Sequence, residues 1–257
     1  AARLDAARAM STVGVIPARY GSTRLPGKSL VTLCGKPLVQ WVWERARQAT
    51  RLSHLVVATD DVRIADAVAA FGGTAVMTRV DHPSGTDRIA EAVAGIAADT
   101  VINIQGDEPL IDPALIDRLA ARLQQDEAWD MVTAVCPITD PADLVNPAVV
   151  KAVWAADGRA LYFSRSLIPH LRDPNDPPPG LRHWRHIGIY GYRRAFLDKL
   201  VATPPCVLEL TEKLEQLRAL DLGGRINIVT TREAGLGVDT PDDVPKAEAA
   251  LRQAGLA

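Results

Sequence analysis

Cysteine is scarce in this chain and scattered: Cys34, Cys136 and Cys206 are its three. No two of them form a C-x-x-C pair, which argues against a structural zinc site. An odd, dispersed set of thiols points to a reducing, cytoplasmic setting. Excess charge of either sign is missing too. With 29 Lys and Arg against 31 Asp and Glu, the formal net charge is -2, so the chain does not read as a nucleic-acid binder. No apolar run approaches the ~20 residues of a membrane helix. The Ala/Arg-rich start, 1–10, lacks the apolar core of a secretory signal and reads as a leader of unknown role. No G-x-G-x-x-G follows the first apolar run, which sets aside a nicotinamide dehydrogenase. There is no internal repeat. What remains is an ordinary globular composition, 47% hydrophobic and 23% charged over 257 residues. That is enough chain for a sizeable core in one large or two small domains.

The most telling stretch is Ile16-Pro17-Ala18-Arg19-Tyr20-Gly21-Ser22-Thr23-Arg24-Leu25-Pro26-Gly27-Lys28. Val13-Gly14-Val15-Ile16 reads as a buried strand, and it runs straight into a loop with three cations, hydroxyls and glycines. Small residues let backbone approach a polyphosphate, while Arg19, Arg24 and Lys28 neutralise its charge. Gly21 to Ser29 approximates a Walker A loop, but five residues separate the glycines and no long apolar helix follows Lys28. The loop therefore predicts a nucleoside triphosphate as ligand without predicting a P-loop. The competing reading is a solvated basic loop.

Strand and helix signals alternate along the first half. Strands are expected over 13–17, 54–58, 74–77, 101–104 and 131–135. Helices are expected over 38–49, 62–71, 87–98 and 113–125. Apolar strands alternating with helices imply an α/β fold with a mostly parallel sheet and helices on both faces. Between 137 and 192 the pattern changes to short β pieces (149–154, 160–163, 187–192), interrupted by the proline-rich 173–180, which suits a surface loop. This predicts an inserted β-rich lobe, 137–192, within an α/β nucleotide-binding domain of 11–136 and 193–257. The closing part resumes with a helix over 208–220, a strand over 226–229 and a helix over 244–251.

In an open parallel sheet, ligands bind beyond the carboxyl ends of the strands. Arg19 follows the first strand, Thr59-Asp60 the second and Gln105-Gly106-Asp107 the fourth. Asp239-Thr240-Pro241 comes a loop after the strand at 226–229. One shared rim would join a cationic loop to carboxylates, as metal-assisted phosphoryl or nucleotidyl chemistry requires, with Asp107 and Asp239 as magnesium ligands. Each residue has a plainer alternative. Asp107 suits a turn, Asp239 and Asp60 suit helix caps, and Ser84-Gly85-Thr86 is either a cap or a contact to a base or phosphate.

The combined motifs resemble the sugar cytidylyltransferases. They are Pro17 to Lys28, Met77-Thr78-Arg79, Asp81 to Arg88, Gln105 to Pro109, Leu161 to Arg165, His186 to Tyr192, Leu214 to Arg218 and Gly237 to Pro241. Within that family they are similar to the branch that activates the acidic sugar 3-deoxy-manno-octulosonate (Kdo). The similarity runs from Met10 to the last helix.

The resemblance implies a Rossmann-like nucleotidyltransferase fold and a magnesium-dependent reaction of CTP with Kdo that yields CMP-Kdo and pyrophosphate, for lipopolysaccharide synthesis. It also implies a cytoplasmic homodimer, with the lobe contributing to the interface. By this likeness Arg19 and Lys28 hold the triphosphate, with Arg24 in a lesser part, and Asp107 and Asp239 hold the metal. Ala18, Ser84 and Gln105 read the cytosine, and Thr59, Asp60 and Gly85 complete the nucleotide set. Arg165 recognises an anion, while His186, Tyr190, Glu215 and Gln216 take sugar hydroxyls or the carboxylate. Tyr190 equally suits a strand core, Glu215 and Gln216 a helix face, and His186 a structural role. No side chain stands out as general base. The nearest alternatives are a cytidylyltransferase for another acidic keto sugar, such as a sialic acid, and a non-catalytic nucleotide-binding protein.

Overall fold

Val13 and Val15 face one layer of the molecule and Ile16 and Ala18 the other, all of them buried. They belong to β1 (Thr12–Ala18), an interior strand of the central sheet in a computed structural model that describes residues 10–22, 24–173 and 175–257. The leader up to residue 9, Thr23 of the basic loop and Pro174 of the proline-rich run lie outside the described residues.

After a short hairpin, β2 (Thr32–Leu33) and β3 (Lys36–Pro37), come α1 (Leu38–Ala46), β4 (His54–Thr59), α2 (Val62–Ala70), β5 (Ala75–Met77), α3 (Gly85–Ala92), β6 (Thr100–Asn103) and α4 (Pro113–Gln125). The chain goes on through β7 (Met131–Pro137), α5 (Pro141–Val145), β8 (Lys151–Trp154), β9 (Ala160–Ser164), β10 (Trp184–Arg193) and α6 (Arg194–Val201). It closes with α7 (Val207–Glu212), α8 (Gln216–Asp221), β11 (Ile226–Thr230) and α9 (Asp243–Gln253).

The main sheet runs β11-β7-β10-β6-β1-β4-β5. β6, β1, β4 and β5 pair in parallel, as do β7 and β11. Apolar residues of α1, α2, α4 and α9 pack on one face, and those of α3, α6 and α8 on the other. The predicted α/β fold, with a mostly parallel sheet between helical layers, is the fold observed. Each fully buried Val, Ile or Leu contributes about 1.5–3 kcal/mol, so these two layers hold the frame on which the loops are mounted.

Two expectations need correction. The lobe was expected to run to residue 192, yet β10 lies inside the main sheet, antiparallel between β6 and β7. Ile187, Ile189, Gly191 and Tyr192 are buried, and a ten-residue apolar strand is long enough to cross the sheet. Within 138–183, β8 and β9 form a side branch of the same nine-stranded sheet, antiparallel to each other and joined to β10 through β8. The helix expected over 208–220 is two helices. Lys213 takes a left-handed conformation (φ 54) that ends α7, and α8 starts afresh at Gln216.

Candidate active site

The basic loop leaves β1 and folds back on itself. The Tyr20 carbonyl accepts from the amides of Ser22 (2.9 Å) and Gly27 (3.1 Å). Gly27 has φ 66, and a Cβ there would come within 3.2 Å of the Tyr20 ring, so glycine permits the turn. The turn aims Lys28 across the rim. Its Nζ donates to Asp107 Oδ2 at 2.7 Å and Asp239 Oδ1 at 3.0 Å, and Arg24 Nη2 lies 3.0 Å from the same Asp239 oxygen.

Backbone approach joins these loops. A Cβ on Gly106 would lie 2.6 Å from the Pro17 carbonyl oxygen, so only glycine lets the loop after β6 sit this close to the end of β1. The Val238 amide donates to the Asp107 carbonyl at 2.9 Å, which ties the Asp239 loop to the same place. The Asp243 carboxylate accepts from the amides of Asp239 (3.2 Å) and Thr240 (3.0 Å) and fixes that turn. Loops following β1, β6 and β11 thus meet at one rim, as strand polarity predicts. Asp239 is no helix cap here: α9 begins at Asp243, and the Asp239 carboxylate faces Lys28 and Arg24.

These groups line a chamber of about 420 Å³ that includes Arg19, Arg24, Lys28, Ser84, Gly85, Gln105, Asp107 and Asp239. Ser84 takes the first of the two roles left open for it, that of a cap, and its place on the chamber wall leaves it available for the other. It caps α3, accepting from the Thr86 and Asp87 amides, and it lines the chamber. A second chamber of about 280 Å³ shares Pro17, Gly85, Gln105 and Glu215 with the first. Tyr190 and Gln216 line it, together with Thr86, Asn103 and Tyr192. Thr86 Oγ1 donates to Glu215 Oε2 at 2.6 Å, and the Tyr190 hydroxyl donates to Gln216 Oε1 at 3.3 Å. Burial, reinforced by Glu215, pushes the Tyr190 phenol well above its ordinary pKa and keeps it a neutral donor. A bulge in β10 lies between Ile187 and Tyr190, and there the Gly188 carbonyl accepts from Gln105 Nε2 at 2.5 Å. The bulge thereby holds Gln105 at the seam of the two chambers.

Other expected site residues stand outside both chambers. Ala18 is buried at the end of β1, and Thr59 is fully buried. Asp60 is paired with Arg88 Nη2 at 2.7 Å, and Arg88 itself lines the first chamber. The cap of α2 is Asp61, the residue after Asp60. The Arg165 guanidinium donates to the carbonyls of Glu212 (2.6 Å) and Pro147 (2.9 Å), so it holds the chain just before Glu215.

His186 is buried behind Tyr190, with ring centroids 5.4 Å apart, and lies 2.9 Å from Thr133 Oγ1. The Thr133 hydroxyl donates to the Ile189 carbonyl at 2.8 Å, so Nε2–H of His186 is the donor to Thr133. Burial pushes this imidazole down to about 3.

Sequence reasoning missed Asn103, Tyr192 and Arg88 as chamber residues and offered Thr86 only as a cap or a contact to a base or phosphate. Thr86 and Arg88 lie in a motif already singled out. Asn103 left one signal, a lone amide in an apolar strand. A separate cavity of about 1210 Å³ is lined by none of the expected site residues. Glu108 turns into it, and burial, then Asp107, pushes its carboxyl up to about 7.

A mostly parallel α/β sheet with cations, paired carboxylates and an adjoining polar chamber on its rim defines an enzyme of the nucleotidyltransferase class. The cytidylyltransferase family matches residues 13–226, and the chain belongs to that family. It is 49% identical over 244 residues to the 3-deoxy-manno-octulosonate cytidylyltransferase of Geobacter sulfurreducens, covering 92% of this chain and 98% of the relative. It is 52% identical over 241 residues to the enzyme of the same name from Pseudomonas fluorescens, covering 90% and 94%. A solved CMP:2-keto-3-deoxy-manno-octonic acid synthetase in complex with CTP superposes with a TM-score of 0.90 at 44% identity, over 95% of this chain and 99% of that one. The 4-diphosphocytidyl-2C-methyl-D-erythritol synthase of Anaerococcus prevotii shares the fold alone, with a TM-score of 0.64 at 12% identity over 95% and 97%.

Proposed function

We propose that this enzyme transfers CMP from CTP to the anomeric hydroxyl of Kdo and releases pyrophosphate. The observation that carries the reading is the pair of adjoining chambers. One is lined by Arg19, Arg24, Lys28, Asp107 and Asp239, the other by Tyr190 and Gln216, and they meet at Gln105 and Glu215. A nucleotide in the first presents its α-phosphorus toward a sugar in the second, and relatives of nearly the same length carry this activity in their names.

Reaction at that seam is chiefly a matter of positioning and charge. Arg19, Arg24 and Lys28 hold the polyphosphate oxygens and offset the negative charge that grows on departing pyrophosphate. Ser84 and Gln105 offer polar groups to the cytosine N4 amino group and N3, and a wrong base forfeits those bonds. Glu215, Gln216 and Tyr190 orient the sugar.

Magnesium fits the donor set. Two carboxylates share one ammonium at 2.7 and 3.0 Å, so their oxygens face a common cation position. No group of three or more acidic, His or Cys side chains gathers around a metal position among the described residues. Asp107 and Asp239 would hold the ion, with phosphate and water completing its shell. When bound, such an ion neutralises phosphate charge and lowers the pKa of a coordinated hydroxyl.

The product would serve lipopolysaccharide synthesis. A homodimer is supported by exposed apolar residues on and around the lobe, among them Val145, Leu161, Val207 and Leu210. A reducing cytoplasmic setting is supported by three free cysteines. The test is pyrophosphate release from CTP with a panel of acidic keto sugars, with and without magnesium. Kdo should be turned over, and only with the metal. Preference for a sialic acid, or CTP binding without pyrophosphate release, would overturn the reading.

A further inference from the structure

The second chamber is lined by a polar residue to which the proposed nucleotide and metal contacts assign no part, Asn103. Asn103 ends β6, two residues after Val101, which packs in the layer of α3 and α6. Asn103 is 4% exposed, lines the chamber, and its Oδ1 has no hydrogen-bond partner. The Asn103 and Thr86 side chains both approach the Tyr192 phenol, while Oδ1 of Asn103 is left without a partner. On the α8 side of the same chamber, Gln216 Nε2 is buried and also unpartnered, while its Oε1 takes the Tyr190 hydroxyl.

A buried polar atom without a partner costs about 1–3 kcal/mol. Here two such atoms belong to residues that line one small cavity, and they are opposite in kind: one acceptor, one donor. A sugar hydroxyl donates one hydrogen bond and accepts others, so polyol chemistry satisfies both at once. A purely apolar ligand would satisfy neither.

We propose that Asn103 is a sugar-positioning residue whose Oδ1 accepts a hydrogen bond from a hydroxyl of the acidic sugar, opposite the Gln216 amide. The inference rests on the assignment of this chamber to Kdo. It makes Asn103 a determinant of which hydroxyl pattern the enzyme accepts, because a ligand that lacks the hydroxyl leaves the acceptor desolvated and unpaired.

The test is steady-state pyrophosphate release by the wild type, Asn103→Leu and Asn103→Ala, with melting curves and CTP titration as checks on folding. Substrates are Kdo and analogues that each lack one hydroxyl. The Leu variant matches asparagine in size and suits a strand facing an apolar layer. Loss of one such bond should raise the KM for Kdo about tenfold and leave that for CTP within about twofold. One deoxy analogue should be about tenfold poorer than Kdo for the wild type and equal to Kdo for the variants. A simple packing defect does not produce that selective loss of discrimination.

An unchanged KM for Kdo in a folded variant, or an equal rise for CTP, overturns the inference. So does a wild type that treats every deoxy analogue as it treats Kdo, whatever the variants do. A wild type without Kdo-dependent pyrophosphate release overturns the assignment of the chamber, and this inference with it. Wild-type turnover with Asn103→Leu unaffected overturns the inference alone.

Discussion

Lys28 is the residue on which the rim's electrostatics turn, because one ammonium binds two carboxylates from distant loops. On the proposed reading, a metal-bound triphosphate would supply a cation for the acids and anions for Lys28 and Arg24, so both sets would find partners when the site fills. Asp107→Asn or Asp239→Asn should lower kcat by about 100-fold or more, since several kcal/mol of charge stabilisation are lost. Steady-state assays check this, and near-normal rates in both variants would contradict it.

His186 carries a pH signature. Its imidazole titrates near 3 in the fold against an ordinary 6.5. Between those values the unfolded chain binds a proton that the folded chain refuses. Stability is therefore lost as pH falls from about 6.5, by up to about 1.4 kcal/mol per pH unit from this group. Urea unfolding of the wild type and of His186→Gln should diverge least in acid, and parallel curves across the window would refute the assignment.

Sequence alone marked Arg19, Lys28, Asp107 and Asp239, because strand polarity brings the loops at the carboxyl ends of parallel strands to one rim. It gave no means to tell Asp60 from Arg88, since their ion pair depends on a helix and a loop packing together. Nor did it mark Asn103, whose role comes from what fails to reach it.

Among elements, α7 and α8 show where periodicity misleads. The apolar spacing over 208–220 suits one helix, and the break at Lys213 has no glycine to announce it. Arg218 closes the corner with a two-point ion pair to Glu209 (2.6 and 2.7 Å) and donates to the Thr203 carbonyl at 2.8 Å. Both side chains are nearly buried, so the pair fixes how α8 delivers Gln216 to its chamber. Glu209→Gln, which strands the guanidinium, should cost about 3–5 kcal/mol, seen as a lower urea midpoint at unchanged m. A shift below about 1 kcal/mol would show that the corner holds without the charge.

Elements with long apolar runs or clear caps were legible, and α4, with Asp112 as cap and Pro113 at its start, falls where the sequence puts it. α6 was not legible. It leaves β10 with no side-chain cap, so nothing local marks its start.

At the scale of the whole molecule, apolar alternation foretold the layers but not the neighbours of each strand. Strand order is set by pairings between distant segments, and no local pattern records that β10 lies between β6 and β7. A chain ending at residue 181 lacks that strand and leaves the facing edges of β6 and β7 bare. It should elute as aggregates and melt without a cooperative transition; a monomeric, cooperatively melting fragment would contradict this. The reversed strand also sets a timetable. Because the interior of the sheet waits for residues 184–193, a chain emerging from the ribosome carries its earlier strands as an unfinished fragment until that segment has been made. A helper that shields nascent apolar edges would therefore matter more to the yield of this enzyme than to one whose strands are laid down side by side.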